Sequence, residues 1–103
     1  MDKLRIAVIG DKKFDDYSRL ASILDSFIKI HQGKSISIVS NNKTNPLAKK
    51  YASENGINFG RQSKRMIRNS DRVIAFRKGV PGEAQQAIEE ANREGIPSYV
   101  VEV

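Results

Sequence analysis

The chain has 103 residues, enough for one small domain over residues 1–103 and too few for a separate catalytic module. It contains no cysteine, which excludes disulfides, thiol nucleophiles and cysteine metal sites. Its net charge of +6 is unevenly placed: residues 43–78 carry ten Lys/Arg against two Asp/Glu, and residues 79–103 carry one against five. A basic middle segment implies an anionic partner, nucleic acid or a phosphorylated small molecule, or else a solvated basic surface. No apolar run approaches the roughly 20 residues that cross a bilayer, so no membrane partner is expected. The opening MDKLRIAVIG lacks the long apolar segment of a signal peptide, so a cytoplasmic location is expected.

Leu4 to Ile9 is a nearly continuous apolar run ending at Gly10, as suits a central parallel strand covered on both faces. Leu20, Ile23, Leu24, Phe27 and Ile28 then recur at helical spacing, with Asp15 or Asp16 as N-cap and Gly33 as terminator. Ile36, Ile38 and Val39 predict a second strand. Asn45-Pro46 predicts a helix start, with Asn45 accepting from a free backbone N–H and Pro46 pre-set for the first turn. Leu47, Ala48, Tyr51 and Ala52 form its apolar stripe, and Asn55-Gly56 stops it.

Residues 57–59 predict a short extended piece, and residues 61–69 a short, very basic helix with Met66 and Ile67 inward. The segment RVIAF is a further buried strand. Residues 79–95 predict a helix with Ala84, Ala87, Ile88 and Ala91 inward, and PSYVV closes the sheet. Strands alternating with helices predict an α/β fold: a single Rossmann-like, three-layer domain. Its sheet is open and mainly parallel, of four or five strands, with helices on both faces. Ligands of such sheets bind outside the carboxyl ends of the strands, which gathers loops 10–16, 40–46, 59–65 and 77–83.

Three ordered motifs carry a resemblance. GDKKFDDY (residues 10–17), SDRVIAF (70–76) and GIPSYVV (95–101) resemble segments of the YspA/YpsA-related branch of the SLOG superfamily, and Met66 falls five residues before Asp71 as in that branch. The resemblance implies a Rossmann-like domain that recognises nucleotides or nucleotide-derived ligands. Relatives include phosphoribohydrolases, nucleotide-signal sensors and a protein that holds single-stranded DNA, so fold alone does not choose among them.

The ligand loops carried over by this resemblance have departed from its pattern. The glycine-rich second loop becomes Ser40, Asn41, Asn42, Lys43, Thr44 and Asn45, two residues shorter and without glycine. Asparagine tolerates the left-handed backbone that glycine favours, so the turn can survive with phosphate held by side chains and the helix N-terminus. An ordinary polar turn capped by Asn45 is the alternative. In the first loop, Gly10 is followed by Asp11 and Lys12, with Asp11 on a ribose hydroxyl, on a base edge or on the loop backbone. Phe14 and Tyr17 stack on a base or belong to the core.

The third loop keeps its charge through Arg61, Lys64 and Arg65, although Gln62 and Ser63 stand where relatives carry Arg-Asn. In the fourth, Gly79 and Gly82 allow close approach of an anionic group. Glu83 there either favours the helix dipole or acts as a ribose ligand or general acid/base.

No catalytic residue is assigned; Asp11 and Glu83 are the weak candidates. With His31 as the one histidine, read as a surface residue far from the loops, no metal site and no cofactor are expected. The leading expectation is non-catalytic binding, for sensing or sequestration, of a nucleotide or nucleotide-derived phosphorylated small molecule. The alternatives are a nucleic-acid binder using the basic 43–78 segment and a nucleotide N-glycosidase or phosphoribohydrolase. Small α/β domains of this kind often pair through exposed helices, which makes a homodimer one expected assembly.

Overall fold

A computed structural model describes residues 3–41, 44–60, 63–79 and 82–103. Five strands and three helices follow one another as β1 (Lys3–Gly10), α1 (Tyr17–Ile30), β2 (Ser35–Ser40), α2 (Asn45–Glu54), β3 (Asn58–Phe59), β4 (Arg72–Arg77), α3 (Glu83–Arg93) and β5 (Ser98–Glu102). The strands form one sheet in the order β3-β2-β1-β4-β5, and every pairing is parallel. The predicted single Rossmann-like α/β domain is therefore the observed one.

The apolar run of β1 reflects its central place, flanked by β2 and β4. Alternation sends Ile6 and Val8 into one core with Leu20, Leu24, Phe27, Ala48 and Tyr51 of α1 and α2. It sends Ala7 and Ile9 into a second core with Ala87 and Ala91 of α3. The second interface is built on alanine (Ala7, Ala75, Ala84, Ala87, Ala91), so small side chains let α3 seat closely on the sheet. Phe14 is also core: it is 3% exposed and stacks on Phe76 with ring centroids 4.6 Å apart.

Asp16 is the cap of α1, accepting from Arg19 N–H at 3.0 Å. The helix ends at Ile30, three residues before Gly33, because His31 turns back: its backbone N–H donates to Ile28 C=O and its Nδ1 lies 2.9 Å from Phe27 O. His31 is half-buried and stacked on Phe27, rather than free on the surface.

Two further expectations are corrected. Thr44, and not Asn45, is the N-cap of α2, and no side chain makes a capping bond there; Asn45 and Pro46 are its first helical residues. Residues 64–69 form successive turns and not a helix. Lys64, Arg65 and Arg68 crowd like charges within the segment, with Arg68 Nε reaching Glu94 Oε2 at 3.8 Å, while Ile67 and half-buried Met66 do pack inward. As expected, β5 closes the sheet, where it forms an exposed edge with Tyr99 45% and Val100 42% exposed.

Candidate site at the carboxyl edge

The order β3-β2-β1-β4-β5 reverses between β1 and β4, so the loops leaving those two strands diverge to opposite faces and leave a crevice. Asp11 follows β1 directly. Its N–H donates to Phe76 C=O at 3.1 Å, prolonging the β1–β4 ladder by one residue. That aims its carboxylate, on a residue 5% exposed, across the crevice. Oδ2 accepts from Lys78 N–H at 2.7 Å and Oδ1 from Ala84 N–H at 3.0 Å. The N-cap of α3 is Gly82, which has no side chain to cap with, and Asp11 supplies the missing acceptor from 73 residues away. An anion already lies on the α3 N-terminus, and it is the protein's own.

Asn41 joins the same crevice from β2. Its Oδ1 accepts from Gly10 N–H at 3.2 Å, and its Nδ2 donates to Gly10 C=O at 2.9 Å and to Glu83 Oε2. Its backbone carbonyl accepts from Thr44 N–H and Asn45 N–H. Asn41, directly after β2, thus ties β1 and α3 through its carboxamide and the start of α2 through its backbone carbonyl. Ser40 faces inward, donating from Oγ to Val8 C=O at 2.6 Å.

Gly10 has a steric reason to be glycine: a Cβ there would lie 2.2 Å from Thr44 Oγ1 and 3.0 Å from the Phe14 ring. Thr44 is fully buried, and its Oγ1 has no hydrogen-bond partner among the described residues. Asn45 Oδ1 is buried and unpartnered in the same way. Both groups lie at the first turn of α2. Pro46 has no N–H and Asn45 N–H is taken, so backbone donors are scarce at this helix end.

Lys12, Lys64 and Arg65 are exposed, as are the unpredicted Lys13 and Lys78. Gly79 turns with φ +75°, a conformation that favours glycine. Gly82 is half-buried. Asn42, Lys43 and Arg61 lie outside the described residues. Tyr17 points elsewhere: its hydroxyl donates to Glu54, and Lys50 Nζ sits 4.3 Å from the ring centroid.

Beside Asn41, a cleft of about 170 Å³ opens on the α3 face of the sheet. Met66, Ile67 and Ala87 form its apolar side, and Glu83, Gln86 and Glu90 its polar side. Sequence reasoning missed Gln86 and Glu90, yet their spacing of three and seven residues from Glu83 marks one helical face. A larger cleft, about 420 Å³, lies at the opposite, amino edge between Ile36, Tyr51 and Ile57. Among the described residues no group of three or more His, Asp or Glu gathers as a metal site, and no helix is long and apolar enough to cross a membrane.

Comparison with family models, curated proteins and solved structures finds no match to this chain.

Proposed function

We propose that the protein binds, without turning it over, a nucleotide-derived phosphorylated small molecule at the carboxyl edge of the sheet, between the loops after β1 and β2. One observation carries this reading: the buried hydroxyl of Thr44 and the buried side-chain oxygen of Asn45 are both unpartnered, side by side in sequence at the start of α2. Buried polar groups are normally hydrogen-bonded, and two orphans at a ligand-prone edge suit a molecule that both donates and accepts. Ribose hydroxyls and phosphate oxygens have that chemistry, and exposed Lys12 and Lys13 supply cations on the neighbouring loop.

Binding is favoured over hydrolysis because Asp11, the buried acidic candidate, already has both carboxylate oxygens engaged, while exposed Glu83 keeps Oε1 free among the described residues. Asp11 is engaged by two backbone N–H groups and Glu83 by Asn41. A general acid or base needs a free position toward its substrate.

The test is thermal unfolding with a panel of mononucleotides, cyclic nucleotides and ADP-ribose derivatives. A true ligand raises the unfolding temperature progressively with its concentration, stabilising by about 2.7 kcal/mol at a hundredfold excess over Kd. Lys12→Ala weakens that response without loss of fold. No shift across the panel would retire this reading. A shift with oligonucleotides alone, lost between roughly 50 and 200 mM salt, assigns the basic surface to nucleic acid instead. Release of free base from a nucleoside monophosphate overturns the non-catalytic assignment.

A further inference from the structure

The large hydrophobic side chains that stand exposed among the described residues are Ile30, Tyr99, Val100 and Val103. Tyr99 and Val100 lie within β5, Val103 directly follows it, and Ile30 stands one helical turn beyond Phe27, against whose ring Tyr99 packs edge-on at 5.3 Å. One edge of the sheet therefore collects them all.

The backbone of that edge is open in a defined phase. Val73 N–H donates to Pro97 C=O, and Val103 N–H donates to Arg77 C=O, each at 3.0 Å. Odd-numbered residues of β5 thus direct their backbone groups at β4, and strand alternation turns those of Ser98, Val100 and Glu102 to the unpaired side. Edge strands of monomers are commonly guarded by lysine, an internal proline or a bulge, and SYVVE has none of these.

We infer that β5 pairs antiparallel with β5 of a second copy, about a two-fold axis at Val100, to make one continuous ten-stranded sheet. A two-fold interface must complement itself, and this edge does so in one register. Val100 faces its symmetry mate as a hydrogen-bonded pair on the α3 face. Tyr99 falls opposite Val101 on the face of α1, covering its exposed ring with a half-buried apolar neighbour. Ser98 falls opposite Glu102, a hydroxyl donor against a carboxylate. Glu102 is the one ionised side chain of the strand and is already held by Arg77 of its own subunit, so no like charges meet across the axis. That charge arrangement favours a second copy over an acidic or basic strand, and the interface uses a sheet edge in place of the exposed helices anticipated from the sequence.

Sedimentation velocity of the full chain measures the assembly, and a cysteine placed at the axis measures the register. The expected mass is twice the 11.5 kDa of the chain. Val100→Lys sets two ammonium groups against each other and returns the monomer with an unchanged circular dichroism spectrum. The chain has no cysteine, so Val100→Cys introduces a single thiol. Its Cα lies about 5.5 Å from its mate in a hydrogen-bonded antiparallel pair, within the range a disulfide spans. Mild oxidation then yields covalent dimer from Val100→Cys and far less from Ser98→Cys, whose mate is Glu102. A monomeric wild type, a Val100→Lys dimer or faster cross-linking of Ser98→Cys each overturns the inference. Capture of a foreign extended peptide by a chain that stays monomeric does so too.

Discussion

Asp11 and Ala84 are joined by a hydrogen bond of 3.0 Å across 73 residues of sequence, with the same carboxylate also accepting from Lys78 N–H. The pair locks the loop after β1 onto the first turn of α3. Removing the carboxylate leaves one loop N–H and one first-turn N–H of α3 without their acceptor, and hydrogen bonds to charged groups contribute roughly 1.5–3 kcal/mol each. Asp11→Ala is therefore expected to lower stability by about 3 kcal/mol in urea unfolding, with the slope m unchanged. Asp11→Asn falls between, because it keeps one acceptor and turns a donor toward the other N–H. A loss under about 0.5 kcal/mol for Asp11→Ala would remove the carboxylate from any structural role.

Thr44 makes the opposite case. A fully buried hydroxyl without a partner costs about 1–3 kcal/mol of desolvation, and valine has nearly the same shape without the hydroxyl. Thr44→Val is expected to stabilise the ligand-free protein by about 1 kcal/mol in the same urea titration and to weaken the response to the proposed nucleotide-derived ligand. A stability gain together with a loss of ligand response separates a binding hydroxyl from a merely structural one.

Gly10 and Thr44 are coupled through space. A Cβ at position 10 meets Thr44 Oγ1 at 2.2 Å, well inside contact distance. Overpacking of this kind costs typically about 1–3 kcal/mol, so Gly10→Ala is expected to destabilise by that amount. Thr44→Ala removes the clashing oxygen, and the double variant should recover part of the loss, giving a coupling energy above about 0.5 kcal/mol in a double-mutant cycle. Additive effects would show that the two sites relax independently.

Two tyrosines set an alkaline limit. Tyr17 donates to Glu54, and that bond, with partial burial and the nearby carboxylate charge, pushes its pKa up to about 12. Tyr51 is raised as well, by burial first and then by its bond to Asp25. The unfolded chain releases these protons near the ordinary tyrosine value of about 10 while the folded chain retains them. Their contribution is therefore complete below pH 10 and is lost as pH rises from there through about 12. Denaturation midpoints measured across that window should fall. Spectroscopic titration of Glu54→Gln should bring tyrosinate absorbance in at lower pH than in the parent chain; an unmoved titration would sever the Tyr17–Glu54 link.

Much of the fold is legible in the sequence because its signals are local. The apolar run at Leu4–Ile9, the helical stripe from Leu20 to Phe27 and the alanine stripe of α3 name their elements by period and length alone. Those elements, alternating along the chain, carry the layered parallel sheet with them. The basic stretch at residues 64–69 escaped this logic, since two inward residues suit a turn as well as a helix.

The candidate site was legible as a set of loops and not as a set of bonds. Ser40, Asn41, Asp11 and Glu83 have the chemistry of ligand-binding residues, and the sequence alone determined that they stand at the strand ends. Only the tertiary structure decided what their polar atoms meet. It brings Asp11 to Ala84, and Asn41 to Gly10 and Glu83, over 73, 31 and 42 residues. The same assembly leaves the side-chain oxygens of Thr44 and Asn45 without partners and one edge of β5 unpaired among the described residues. Periodicity is a property of neighbouring residues, whereas a hydrogen-bond partner is chosen by the folded chain as a whole.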